Sequence, residues 1–204
     1  APSRRVHMTD DFMKELDSLT ADDLYEVVKP LLNPTSTPEE QVIAFRNAQH
    51  LLKRIRVPPT WEGPGTPLST SVMAGRKKLV RLILRAHANP NEKDAKGVPM
   101  LQHAAFYGSS DMCQALLSAR AEVDGRDSQG QTALFFAADC KVCKLLMDYK
   151  ADCSARDMRG ASPLHNVARA GLQDVFKMMY SQSDDITHQL TDYQGNTIFD
   201  YAAS

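Results

Sequence analysis

Residues 160–179 decide the fold, and they read Gly160-Ala161-Ser162-Pro163-Leu164-His165-Asn166-Val167-Ala168-Arg169-Ala170-Gly171-Leu172-Gln173-Asp174-Val175-Phe176-Lys177-Met178-Met179. Ser162 can cap the free N–H groups of a helix, and Pro163 fits the first turn because its missing donor costs nothing there. The small residues Ala168 and Ala170 suit close packing, and Gly171 can end the helix. A second apolar helix follows, so the stretch predicts two short helices joined by a bend.

The same pattern recurs along the chain. Its leucine-equivalent positions are 68, 101, 134, 164 and 199, with spacings of 33, 33, 30 and 35 residues. From the second occurrence on, an Asp-x-x-Gly segment precedes the helix, at Asp94–Gly97, Asp127–Gly130, Asp157–Gly160 and Asp192–Gly195. Recurrence at this period indicates a stack of repeated units.

The recurring motif resembles the ankyrin repeat, whose pattern is Gly-x-Thr-Pro-Leu-His-x-Ala-Ala-x-x-Gly followed by a Val-x-x-Leu-Leu helix. A tetratricopeptide array has a similar period, but its Trp/Gly/Tyr-Ala-Phe-Pro pattern is absent. The resemblance implies an all-α solenoid of helix-turn-helix repeats with β-turn fingers over residues 61–204. It places the repeats at about 62–94, 95–127, 128–157 and 158–192, with a partial repeat at 193–204.

Residues 1–60 do not carry the motif. Thr9 and Thr37 begin helical patterns, and Thr37-Pro38-Glu39-Glu40 combines a cap, a proline at the first position and an acid able to bond back. That last helix should run to about Arg56, before Val57-Pro58-Pro59. Because a solenoid exposes an apolar face at each end, we expect this segment to be an N-terminal helical cap. An independent docking module is the alternative.

The third repeat is shortened. Only five residues, Asp139 to Cys143, separate Ala138 from Lys144, whereas eight residues lie at the corresponding place in the second repeat. Three residues are about one helical turn, so the inner helix or its loop must be shorter. The fourth repeat gains two residues near Ser181 to Ile186.

Bulk properties are those of an ordinary globular chain, with 204 residues, 43% hydrophobic residues and a net charge of -1. The sequence contains no run of about 18 apolar residues, so it predicts no membrane-spanning helix. Four scattered cysteines favour a reducing intracellular compartment, with the cytoplasm first and the nucleus or an organelle as alternatives. The chain begins at Ala1 rather than Met, which suggests a fragment or a trimmed precursor.

We expect no enzyme site, metal or cofactor. The Cys140-Lys141-Val142-Cys143 pair would be half of a zinc site, and no second cysteine pair completes it. Serine-nucleophile, phosphate-loop and zinc-protease patterns are absent. His165 and Gln102 occupy the histidine position of the family motif, and the resemblance implies a backbone hydrogen bond between repeats there rather than catalysis. Phe135 and Asp200 occupy that position elsewhere, which should interrupt the chain of bonds.

The charge distribution is uneven. Residues 46–85 hold nine Lys or Arg against one Glu, including Arg76, Lys77, Lys78 and Arg81. Such a block could contact an acidic protein, a nucleic acid or lipid headgroups. The simpler interpretation is an ordinary solvated face, partly paired with neighbouring acids.

The resemblance also suggests where a partner protein would bind, because ankyrin proteins usually use their fingertips and the exposed positions of their inner helices. Carried over by position, these are Lys96, Val98, Ser128, Gln129, Met158, Arg159 and Tyr193 on the fingers, and Phe106, Tyr107 and Arg169 on the inner helices. Two adjacent exposed aromatic residues cost solubility unless they are used, so Phe106 and Tyr107 are the strongest candidates. Alternatively, Phe106 packs into the bend of the short third repeat.

These features together predict a non-catalytic protein-interaction scaffold or a subunit of a larger assembly. Two alternatives remain at this point. The chain could be a regulatory or targeting domain of a larger enzyme or channel, or it could contact an anionic surface through the basic block.

Overall fold

The computed structural model describes residues 29–31, 35–54, 66–85 and 88–203. Its helices are α1 (Pro38–Arg54), α2 (Pro67–Met73), α3 (Lys77–Arg85), α4 (Met100–Phe106), α5 (Ser110–Ser118), the 3₁₀ helix η1 (Ala133–Phe136), α6 (Cys140–Asp148), α7 (Pro163–Arg169), α8 (Gln173–Gln182), α9 (Asp185–His188) and α10 (Ile198–Ala202). The β-type pairing in these ranges is limited to two isolated bridges, Lys93–Pro99 and Thr191–Thr197. The predicted all-α fold is therefore confirmed.

Two layers of helices form the array. The inner helices stack in the order α2, α4, η1, α7 and α10, and the outer helices α3, α5, α6 and α8 stack beside them. The leucine-equivalent side chains that hold the layers together are buried: Leu68, Leu101, Leu134 and Leu164. Position 199 breaks this series, because Phe199 is 63% exposed and Ile198 takes the buried place instead.

Helix α1 begins as its sequence predicts. Thr37 N–H donates to Glu40 Oε2 at 2.8 Å, and Glu40 N–H donates to Thr37 Oγ1 at 3.2 Å, so each end of the capping box satisfies the other. Ala44 and Ala48 are buried and join the same hydrophobic core as the first repeat. The helix predicted from Thr9 lies outside the described residues, and the division at residue 60 stays a prediction.

The third repeat has lost a turn of its inner helix, as expected. Its inner element η1 has four residues, whereas α2, α4 and α7 have seven each. Asp139 then starts α6 directly, because its carboxylate accepts hydrogen bonds from the N–H groups of Lys141 at 2.6 Å and Val142 at 3.3 Å. This side-chain cap lets the outer helix begin without the usual bend.

The insertion in the fourth repeat forms the short helix α9. The His188 ring stacks on Tyr180, with centroids 3.7 Å apart and planes 5° from parallel. Ser183 Oγ lies 3.0 Å from His188 Nε2. The extra residues are thus folded back against the end of α8.

Candidate functional site

Each finger is built on one aspartate. One carboxylate oxygen accepts hydrogen bonds from the backbone N–H groups two and four residues later, as Asp94 does from Lys96 at 2.8 Å and Val98 at 2.9 Å. The same two bonds, all between 2.8 and 3.0 Å, form at Asp127, Asp157 and Asp192. The glycine of each Asp-x-x-Gly segment has a positive φ, between 75° and 86°. The recurring Asp-x-x-Gly segment therefore forms a tight turn, which its aspartate and its glycine stabilise.

Backbone hydrogen bonds link the last three fingers, those of Asp127, Asp157 and Asp192. Met158 N–H donates to the carbonyl oxygen of Gln129, and Tyr193 N–H donates to that of Arg159, both at 2.9 Å. The tips of these three fingers are therefore held in fixed positions relative to one another.

A ladder of basic side chains runs along the base of the fingers. Lys93 donates to the carbonyl oxygen of Arg126 at 2.9 Å, Arg126 donates to that of Arg156 at 2.7 Å, and Arg156 donates to that of Thr191. Each of these four residues directly precedes a finger aspartate, so the same repeat position is linked from one unit to the next. We call Lys93, Arg126 and Arg156 the basic ladder. Such links favour a rigid, preformed surface.

Hydrogen bonding lowers the pKa of three finger carboxylates, those of Asp94, Asp157 and Asp192. Burial acts to raise the pKa of Asp157, but the hydrogen bonds from Arg159, Ala161 and Gln131 outweigh it and the pKa lies below its ordinary value. The bond from the Asn196 side chain, which outweighs the raising effect of burial, is the main cause that lowers the pKa of Asp192 to about 2. These aspartates are structural, because their oxygens are occupied by the turns.

The structure places most of the proposed contact residues on the surface. Exposed side chains are found at Lys96, Phe106, Tyr107, Ser128, Gln129, Met158, Arg159, Arg169 and Tyr193, and Val98 is half-buried. Phe106 is 65% exposed, so it does not fill the bend of the third repeat.

Phe106 and Tyr107 form a cluster of rings with His103 at the C-terminal end of α4. Their rings meet edge to face with centroids 5.7 Å apart, and the Tyr107 ring stacks on His103 at 6.4 Å. His103 Nε2 lies 2.9 Å from Asp94 Oδ2, which anchors the cluster to the finger of the same repeat. The sequence had not singled out His103, although it stands one turn before Tyr107.

Four of the proposed residues meet in one cleft of roughly 580 Å³, which we call the finger cleft. Its walls include Met158, Arg159, Arg169 and Tyr193, together with Asp192, Gln194, Asn196, Asp200 and Tyr201. Sequence reasoning missed Tyr201, whose OH donates to Asp192 Oδ2 at 2.9 Å and whose ring meets His165 edge-on. The sequence could have indicated Tyr201, because it lies about one helical turn after the helix cap Thr197 and so near the same finger.

The basic block is partly neutralised. Lys77 Nζ lies 3.4 Å and Arg81 Nη2 lies 3.2 Å from the carboxylate of Asp111 on the next outer helix. Lys53, Arg54 and Arg56 contribute side chains that the structure does not describe. The described part is therefore less positive than its sequence suggests.

No group of His, Cys, Asp or Glu side chains in the described ranges could hold a metal ion. All four cysteines are free thiols. Among the described helices, none is long and apolar enough to cross a membrane.

Paired helices that stack in register and project tight turns along one edge define a repeat-array protein. The family model for ankyrin repeats (3 copies) matches residues 22–127 and 68–157, well over half of the chain, and the chain belongs to the ankyrin-repeat family. It is 32% identical over 127 residues to the human neurogenic locus notch homolog protein 4. That match covers 54% of the chain but only 6% of the relative's length. Ankyrin repeats generally mediate protein–protein interaction, and the family is typically non-enzymatic.

Proposed function

We propose that this chain is a non-catalytic interaction module that binds a partner protein through the concave surface of its repeats. The observation that carries the proposal is the concentration of exposed large side chains on that surface. Phe106, Tyr107, Met158 and Tyr193 are each at least half exposed, and all lie on fingers or at the end of an inner helix. Exposed apolar groups at adjoining repeat positions are typical of a protein interface.

The supporting elements explain how such a surface would bind. Finger turns closed by Asp94 and its counterparts, and the basic ladder between them, hold the contact residues before a partner arrives. A preformed surface loses little conformational entropy on binding, so more of the contact energy appears as affinity. We assign the contact to Lys96, Val98, Phe106, Tyr107, Ser128, Gln129, Met158, Arg159, Arg169 and Tyr193.

The test compares two exposed aromatic sites. The double variant Phe106→Ala/Tyr107→Ala removes the proposed anchors, and Tyr149→Ala removes an exposed tyrosine of the outer layer as a control. Proteins captured by the natural chain and by Tyr149→Ala, but lost with the double variant, would be the partners. Hot-spot truncation should weaken binding by about 2 kcal/mol or more without lowering the melting temperature. Equal capture by all three proteins would contradict the assignment.

The relative's length favours one alternative within the same class of function. Since the match covers 6% of that relative's length, we also propose, as the alternative, that the array serves as a regulatory or targeting domain of a larger enzyme or channel. Four free thiols support an intracellular location, because cysteines remain reduced there. Pairing of Lys77 and Arg81 with Asp111 leaves less positive charge for the other alternative, contact with a nucleic acid or a lipid surface.

A further inference from the structure

A second groove lies between α1 and the start of α3, and no finger residue is among its described lining. It has a volume of roughly 610 Å³. Its apolar lining comes from Leu31, Val42 and Phe45 on one side and Leu79 on the other. We call it the α1–α3 groove. Its size falls in the range of about 300–1,000 Å³ in which a few side chains or a small ligand are buried.

Apolar side chains beside this groove remain in water. Val42 is 59% exposed and the adjacent Ile43 is 41% exposed, on a helix whose opposite side buries Ala44 and Ala48. Branched apolar residues are stabilised by full burial, which an occupant of the groove would provide.

The rim at the start of α3 is positively charged. Arg76, Lys77 and Lys78 line the groove, and no carboxylate is among its described lining. These cations surround the N-terminal end of a nine-residue helix whose first turn carries no acid. The helix dipole makes that end positive as well, so cations there are unfavourable and an anion is attracted.

Each of the other outer helices α5, α6 and α8 has an aspartate of this chain at its N-terminal end. Asp111 lies in the first turn of α5, Asp174 lies in that of α8, and Asp139 caps α6. Lys77 shares Asp111, whereas Arg76 and Lys78 make no ion pair within the described residues. The buried Nε of Arg76 also has no hydrogen-bond partner there. Carboxylates of a bound partner would pair with Arg76 and Lys78 and would interact favourably with the N-terminal end of α3.

We propose that the α1–α3 groove docks an acidic amphipathic helix from a partner protein. The groove is lined by side chains of α1, by Leu31 and by the start of α3, and it offers no strand edge within the described residues. It therefore suits a helix with apolar anchors at i, i+3 or i+4 and i+7. A nucleic-acid backbone could contact the charged rim, but the apolar floor would stay uncovered. Because it is concave, a flat bilayer surface would not reach Leu79 and Phe45. Charge and shape together therefore favour an acidic peptide.

The probe is a synthetic acidic amphipathic peptide with leucines at i, i+4 and i+7 and glutamates around them, titrated against the full chain by fluorescence anisotropy. Its controls are a scrambled peptide of the same composition and a version with lysine in place of glutamate. We expect saturable binding of the acidic amphipathic peptide alone. Lys78→Glu should weaken it about fivefold, by loss and reversal of an exposed ion pair. Val42→Ser should weaken it about tenfold, by loss of one buried apolar side chain.

The matched control is Lys141→Glu, since Lys141 is the second residue of α6 just as Lys78 is the second residue of α3. It should leave peptide binding unchanged, and so should Phe106→Ala/Tyr107→Ala, which separates this groove from the concave surface. Equal binding of the lysine peptide, or equal loss with Lys141→Glu, would overturn the proposal. Binding of duplex RNA or phosphatidylserine vesicles without the peptide would also overturn it. So would peptide binding that appears only after Leu16→Ser/Leu19→Ser, because the groove would then belong to this chain's own N-terminal segment.

Discussion

The ring of Tyr193 lies directly on Gly160. Tyr193 Cδ1 is 2.7 Å from the point that a Cβ atom on residue 160 would occupy. Gly160 also has a φ of +80°, in the left-handed region. Tyr193 N–H also donates a hydrogen bond to the carbonyl oxygen of Arg159. The last finger therefore contacts the preceding finger through both the Tyr193 ring and the backbone. A wall of the finger cleft therefore depends on the absence of a side chain at residue 160.

Gly160→Ala is expected to destabilise the array and displace Tyr193. A non-glycine residue in the left-handed region costs about 1–2 kcal/mol, and the clash with the ring adds to it. Urea unfolding measures the loss. Gly97→Ala is the matched control, because Gly97 has a φ of +79° but no atom within 4 Å of its added Cβ. An equal loss in both variants would show that the ring contact contributes nothing.

The motif spacing predicts the helix pairs, the finger turns and the missing turn of the third repeat, because each is specified by residues close together in the chain. It does not predict the basic ladder, since the spacing from Arg126 to Arg156 shows equivalent positions but not how far a side chain reaches. One link between repeats is anticipated by the family resemblance, at the histidine position of the second repeat. Gln102 donates there to the carbonyl oxygen of Gln131 in the next repeat and to that of Gly125 in its own repeat.

Surface features are harder to predict from the sequence. The exposure of Phe106 follows from its place after the buried alanine pair of the motif. The finger cleft does not follow, because it depends on Tyr193 and Tyr201 from a repeat with only one helix. The contact of Tyr193 with Gly160 likewise joins residues 33 positions apart, so the sequence around either residue does not predict it.

Acid should destabilise the array between about pH 4 and pH 2. Asp192 has an ordinary pKa of 3.8 when unfolded and a pKa of about 2 when folded, so the unfolded chain binds the proton more readily in this window. The pKa values of Asp94 and Asp157 are lowered too, by hydrogen bonds that outweigh the raising effect of burial. The contribution of these carboxylates to stability is thus fully present above about pH 4 and is lost as the pH falls. Melting temperatures measured from pH 7 to pH 2 test this.

Asp192→Asn should flatten that pH dependence, because the variant has one fewer carboxylate to protonate. Asp148→Asn is the control, since Asp148 is exposed at the end of α6 and closes no finger. A flattening of the same size in Asp148→Asn would point to the net charge rather than to the finger carboxylates.

Asp139→Ala should lower the free energy of unfolding by about 1 kcal/mol, because the first N–H groups of α6 would lose their acceptor. Ser109→Ala removes the residue at the same position of α5, where Ser109 makes no capping bond and its buried Oγ has no partner. That control should be neutral, since no hydrogen bond is lost. Equal losses in the two variants would mean that the Asp139 cap does not support the shortened repeat.

The cysteines should differ in reactivity according to burial. Burial raises the pKa of Cys113 and of Cys143 to about 12, so almost none of either thiol is the reactive thiolate at pH 8. Cys140 is only half-buried, at the first position of α6. We expect iodoacetamide at pH 8 to modify Cys140 first and to leave Cys113 and Cys143 intact, as peptide mapping by mass spectrometry would show. In urea all four should react alike, and modification of Cys143 as fast as Cys140 in the folded chain would contradict its burial in the core.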